Sequence, residues 1–196
     1  MTNNYDELMR LLKSRHSCRS FAPDPVDGKV LQNLSDAFSL APQAGGGNRH
    51  VQCRFVTDQT AIRNLAKHGQ EAFSAFCQSI ASPFVREETE RYGKNFFWFG
   101  EVPALAVVTC RKAPAFMVQL AGHKASLIWG GELSVAMSSF SLLLAAETIG
   151  LGACCLTGPL SMWREMEEFL NIPKRDSLIL LIALGYKKAP SPPCPT

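Results

Sequence analysis

The sequence contains no apolar run long enough to cross a bilayer. Its longest such stretch, Leu133 to Ala146, is interrupted by Ser134, Ser138, Ser139 and Ser141 and flanked by Glu132 and Glu147. That falls short of the roughly 20 apolar residues a span requires, so it is read as a buried helix and no membrane is expected. Charge is also scarce, at 19% of residues with a net charge of only +3. The basic residues are dispersed, which leaves nothing to hold a nucleic acid. Seven cysteines stand at 18, 53, 77, 110, 154, 155 and 194 with no zinc spacing. Their odd number, the adjacency of Cys154 and Cys155 and the absence of a secretory-signal pattern point to free thiols and a cytoplasmic protein. Four histidines (16, 50, 68 and 123) lack ligand spacing, so no metal is expected. No Gly-Lys-Ser/Thr follows Gly45-Gly46-Gly47, and Gly150-Leu151-Gly152 follows a helical pattern without a third glycine. These points exclude a P-loop and a dinucleotide fingerprint. Internal repeats, a catalytic triad and paired carboxylates are likewise missing.

What is present suits a globular core: 196 residues, 46% of them hydrophobic, read as a single domain over 1–196. Tyr5 to Lys13 has a helical apolar face in Tyr5, Leu8, Met9 and Leu12. Asp27 is a candidate N-cap for a second helix with Val30, Leu31, Leu34, Phe38 and Ala41 on one side, ended by Pro42. A glycine-rich loop over 43–49 leads to a strand, Cys53 to Thr57. The composition of Thr60 to Ser79 favours a helix. Pro83 to Gly100 reads as a partly ordered excursion ending in the aromatic run Phe96 to Phe99. Pro103 to Cys110 suits a buried strand, and one long helix is expected over Ala121 to Ile149, stopped by Gly150. A strand over Ala153 to Thr157, a capped helix over Ser161 to Leu170 and a buried strand over Leu178 to Leu184 follow. Residues 187–196 form a short proline-rich tail. Helices and strands interleave without strict alternation, which favours an α+β fold.

Four segments could carry chemistry. Arg15-His16-Ser17-Cys18-Arg19 places two guanidinium forks and a hydroxyl in one short stretch, matched to phosphate oxygens. Taken alone, it also fits a solvated basic turn. Ala41-Pro42-Gln43 and the glycine loop to Asn48-Arg49 let the backbone approach a ligand, with Asn48 offering a donor and an acceptor; a flexible surface loop reads the same way. Gly150 to Pro159 turns a helix into a strand and then a loop with backbone donors, or is a helix cap before a core strand. Leu184-Gly185-Tyr186-Lys187-Lys188 sets two lysines at a strand end, for phosphate or for tail solubility.

Together the four segments resemble the nitroreductase family of FMN-dependent oxidoreductases. The opening motif stands as Arg15-His16-Ser17-Cys18-Arg19-Ser20-Phe21, followed by Pro25-Val26. Ala41-Pro42-Gln43, Asn48 and His50-Val51-Gln52-Cys53-Arg54-Phe55 match the second helix end and its loop, with Gln43 in place of a serine and a degraded Gln-Pro-Trp element. Ala145-Ala146-Glu147-Thr148-Ile149-Gly150-Leu151-Gly152 matches the end of the core helix, and Leu184-Gly185-Tyr186 the last strand. The resemblance implies an α+β fold with a central mixed or antiparallel sheet flanked by helices, in a homodimer. It implies FMN as cofactor, with Arg15 and Ser17 on the phosphate and ribityl chain and Arg19 at the polar edge of the ring, where charge develops on reduction. Asn48 would bond the pyrimidine edge, Thr157 and Gly158 would lie beside the reactive nitrogen, and Lys187 or Lys188 would complete the phosphate site. His16 and Leu156 count among the cofactor contacts.

The chemistry implied is reduction of a small oxidised acceptor (a nitroaromatic, quinone or flavin) by NAD(P)H, the two substrates using one flavin face in turn. Alternatives are other flavin chemistry, such as dehalogenation or flavin breakdown, and a non-catalytic dimeric module. Phe96 to Phe99 are expected to cover the flavin face. Cys154 and Cys155 are expected to be core residues beside it, and the short tail argues against a full swapped strand.

Overall fold

The computed structural model describes residues 4–44, 50–125 and 129–188. Four antiparallel strands form one sheet: β1 (Val51–Val56), β2 (Ala104–Arg111), β3 (Leu151–Leu156) and β4 (Asp176–Tyr186), in the spatial order β1-β2-β4-β3. The central pair, β2 and β4, is apolar at consecutive positions because both sheet faces are covered. Alternation sends Leu105, Val107, Leu181 and Ala183 into one cluster. There they meet α3 (Gln59–Ser79) through Ile62, Leu65 and Phe73 and α7 (Trp163–Phe169) through Met166. The intervening Ala104, Ala106, Val108, Ile182 and Leu184 enter a second cluster. Their partners are Leu34 and Phe38 of α2 (Gly28–Leu40) and Val135, Leu142 and Ala146 of α6 (Gly131–Thr148). The sheet is thus the middle of a helix–sheet–helix stack, in agreement with the expected α+β architecture.

Local chemistry sets the element starts. The Asp27 carboxylate accepts from Lys29 N at 2.7 Å and opens α2, and Asp58 accepts from Thr60 N at 2.8 Å and opens α3. α1 (Asn4–Ser14) lies where the first apolar stripe predicts it. The strands, too, fall within a few residues of their expected positions.

Two expectations are corrected. Residues 121–149 are not one helix. α5 (Ala115–Ala121) is followed by a 3₁₀ turn at Gly122–Lys124, and α6 starts only at Gly131, after Gly130 with φ +78°. At Gly130 a Cβ would also collide with the Ala44 Cβ, so the break is fixed by a close contact as well as by backbone conformation. In the sequence, the apolar residues Leu127, Ile128 and Trp129 before the break and Leu133 and Val135 after it share one helical pattern, which hid it. Residues 83–100 are not partly ordered either. α4 (Pro83–Gly93) opens with the Ser82 hydroxyl accepting from Val85 N at 3.4 Å, and a 3₁₀ turn occupies Trp98–Glu101. Phe97 and Phe99 are buried in the core beneath α3. Four aromatics in succession have neither a helical nor a strand period, so the pattern gave no boundary. The tail beyond residue 188, with the expectation about strand exchange, lies outside the described residues.

Candidate functional site

The arginine segment closes the open edge of the sheet. Cys18 N donates to Ala153 O at 3.0 Å, Ser17 forms a parallel bridge with Ala153, and Ala22 N donates to Tyr186 O at 2.9 Å. Extended residues alternate sides. Cys18 turns inward and packs on Gly152, where a Cβ would meet its Sγ at 2.6 Å. The Arg19 guanidinium and the Ser17 hydroxyl act on the buried Cys154 thiol, and Arg15 acts on the exposed Cys155 next to it. Burial pushes the Cys154 thiol up, opposed by Arg19 and the Ser17 hydroxyl.

His16 rests its Nδ1 3.0 Å from Ser14 O and lies near enough to Glu147 to act on its carboxyl. Glu147 binds Lys187 Nζ through both oxygens, at 2.9 and 2.8 Å. Burial pushes the Glu147 carboxyl up, yet Lys187, Ser14 and His16 together hold it below its ordinary value. Sequence reasoning assigned Lys187 a candidate phosphate role; in the fold its charge is answered by a carboxylate of its own chain. Lys188 is exposed, and its N donates to Ser20 O at 3.2 Å, so it stands at the arginine segment.

A cleft of about 260 Å³ opens beside this edge, lined by Arg19, Tyr92, Asn95, Phe96, Trp98 and the turn Leu156-Thr157-Gly158. Among the described residues, Arg10, Arg63, Arg91, Arg111 and Arg175 pair with carboxylates, Arg54 and Arg86 donate to backbone carbonyls and Arg164 lies over Trp163, whereas the Arg15 and Arg19 guanidinium groups have no such partner. The sheet edge therefore presents two uncompensated guanidinium groups and a hydroxyl next to a concavity, a donor set for an anionic ligand. Arg19, Leu156, Thr157 and Gly158 line one cleft, while Ser17 pairs with Ala153 and Arg15 acts on Cys155 of the same edge strand. Lys187 and His16 act on Glu147, and Asn48 lies outside the described residues.

Two further expectations change here. The aromatic run does not act as one cover. Phe96 and Trp98 line the cleft, with Trp98 stacked on Phe21 at 6.2 Å, while Phe97 belongs to the core. Cys154 is buried as expected, but Cys155 is exposed on the edge strand. Tyr92 and Asn95 escaped sequence reasoning, because a polar, charged stretch gives no sign of which of its members will face a cleft.

A fold with a helix-sandwiched antiparallel sheet, an arginine segment on its edge and a glycine turn beside it defines a family. The chain belongs to the nitroreductase family, whose pattern it matches over residues 12–186. Among curated relatives, it is 27% identical to 5,6-dimethylbenzimidazole synthase of Rhodobacter capsulatus, covering 92% of this chain and 83% of that protein. It is 24% identical to the iodotyrosine dehalogenase 1 homolog of Caenorhabditis elegans, covering 89% of this chain and 53% of that protein. Among solved structures, a BluB-like flavoprotein from Clostridium difficile 630 superposes with a TM-score of 0.75 at 20% identity, covering 96% of this chain and 94% of the other. A nitroreductase from Bacteroides fragilis with bound FMN superposes with a TM-score of 0.72 at 18% identity, covering 97% and 94%.

Proposed function

We propose that this protein is an FMN-dependent oxidoreductase that takes electrons from NAD(P)H and passes them to a small oxidised acceptor. The observation that carries the reading is the pair of uncompensated guanidinium groups, Arg15 and Arg19, on the strand edge beside the cleft that Thr157 and Gly158 line. The residues fit the cofactor: two cations and a hydroxyl for a phosphate and a polar ring edge, a Thr157-Gly158 turn with backbone donors, and aromatic walls, Phe96 packing where a side chain at Gly158 would stand. FMN, when bound, supplies the capacity to accept a hydride and to release its electrons in a second step.

The chain's own groups do the rest. Arg15 and Ser17 hold the phosphate and ribityl chain, with Lys188 favoured over Lys187 because Glu147 already neutralises Lys187. Arg19 stands where negative charge grows on reduction and stabilises it. Asn48 is assigned to the pyrimidine edge. Phe96 and Trp98 exclude water from one wall of the cleft.

The working unit is a homodimer. α6 carries exposed Leu133, Met137 and Phe140 at helical spacing opposite its buried Ser134, Val135, Ser138 and Leu142. A helix apolar on both sides supports a second apolar partner, which a second copy supplies. No described helix is long and apolar enough to cross a membrane.

A second reading, flavin chemistry other than nitroreduction, is favoured by the curated relatives, which carry the names of a synthase and of deiodinases. Anaerobic mixing of the FMN-loaded protein with NADH or NADPH, followed by a nitroaromatic or a quinone, separates the two. Bleaching by the nicotinamide and recovery with the acceptor supports the first. A flavin that neither nicotinamide bleaches defeats it and supports the second.

A further inference from the structure

A second concavity adjoins the cleft. α3, α4 and the start of α7 enclose about 640 Å³, walled chiefly by Phe73, Phe76, Tyr92, Phe96, Met162 and Trp163. That volume lies within the range of small-molecule sites, roughly 300–1,000 Å³. Tyr92 and Phe96 also wall the cleft that Arg19 and Gly158 line, so the two spaces share a partition. Those rings meet edge to face with centroids 5.1 Å apart, and Phe73 backs Phe96 at 5.6 Å. Phe76, Tyr92 and Trp163 are exposed around one opening, whereas isolated surface apolar residues have no such common focus. The Arg164 guanidinium lies 5.1 Å over the Trp163 ring and restrains it.

We propose that this pocket receives the apolar tail of the electron acceptor while the acceptor's reducible head lies in the cleft, which makes the acceptor a reducible ring bearing a hydrocarbon chain, with alkylated quinones as the probe. The assignment of the head rests on the flavin reading above; the assignment of the tail rests on the pocket alone. Head and tail are told apart by charge. The reducible head must reach the flavin, and the cleft is the space walled by Arg19, the cation assigned above to the flavin's polar edge. The second pocket offers mainly aromatic surface, whose contribution is dispersion and removal of apolar area from water.

The test compares two fully substituted quinones, which do not alkylate thiols: tetramethyl-1,4-benzoquinone and trimethyl-decyl-1,4-benzoquinone. Calorimetric titration is done on the oxidised, FMN-loaded protein and on two variants. Ala75→Trp fills the pocket from an exposed lining position, and Trp163→Ala removes a wall. In the unmodified protein the decyl compound binds at least ~10-fold more tightly, because each methylene buried in the pocket adds to its affinity. In Ala75→Trp that advantage falls to within about twofold, while tetramethylbenzoquinone affinity and FMN content are unchanged. Trp163→Ala shows the same selective loss and serves if the first variant does not fold. An equal advantage in all three proteins, or none in the unmodified one, overturns the proposal. Failure of the flavin reading looks different: the protein takes up no FMN, and the pocket is then judged by the decyl advantage on the flavin-free protein.

Discussion

Glu147→Gln tests the polar cluster behind the arginine segment. The Glu147 side chain is 11% exposed and its two oxygens hold Lys187 Nζ, whose side chain keeps 32% of its surface in water. Removing one partner of a fully buried ion pair costs about 3–5 kcal/mol, because the other charge is stranded. Lys187 retains part of its hydration, so screening reduces the expected loss to about 1–3 kcal/mol. With a urea dependence of about 2 kcal/mol per molar, the unfolding midpoint drops by about 0.5–1.5 M. The pH dependence has a defined sign. The Glu147 carboxyl sits below its ordinary value in the fold, so its contribution is complete above the unfolded value of about 4.3 and is lost as pH falls through the folded one. The gap between parent and variant is therefore full near pH 7 and narrows below about pH 4.3. Urea titrations at pH 7 and pH 3.5 measure it. In a double-mutant cycle, Lys187→Met added to Glu147→Gln recovers part of the loss, since no charge is then stranded. A Glu147→Gln midpoint unchanged at pH 7, or a gap that widens in acid, refutes the reasoning.

Three further outcomes follow from other parts of the molecule. Lys188→Ala lowers FMN affinity by up to about tenfold with little change in stability, while Lys187→Ala does the reverse; equilibrium dialysis and urea titration on both variants read the difference. Gly152→Ala drives a methyl group into Cys18 Sγ, at 2.6 Å in the present geometry, and lowers stability by about 1–3 kcal/mol by thermal unfolding. Met137→Glu puts a carboxylate in the exposed α6 stripe and converts a dimer to a monomer by light scattering; an unchanged mass assigns the dimer contact to another face.

Much of the fold was legible because the periods were clean. Asp27 and Asp58 cap the helices that follow them, one of them foreseen, and β2 and β4 are apolar enough to require cover on both faces. The order of motifs along the chain named the family before any contact was known. What escaped was pairing between distant residues. Glu147 closes a core helix in sequence, and only the fold sets it against Lys187, changing which lysine is left for an anion. Gly130 reads as one more small residue in an apolar run until its backbone and its contact with Ala44 show a break. Phe96 to Phe99 look alike as letters, yet two of the four are core and two face the cleft, a division set by the 3₁₀ turn at Trp98–Glu101. Tyr92 is visible only through the cavities it separates.

The central claim is that Arg15 and its neighbours on the sheet edge hold FMN. The most direct measurement is the visible spectrum of the purified protein, with the flavin released on denaturation quantified against chain concentration, for the parent and for Arg15→Ala. The parent is expected to be yellow and to release close to one FMN per chain, and Arg15→Ala to bind FMN more weakly by about 1.5–3 kcal/mol, the worth of a charge-assisted hydrogen bond. A colourless parent that takes up no added FMN, or an Arg15→Ala variant with undiminished affinity, contradicts it.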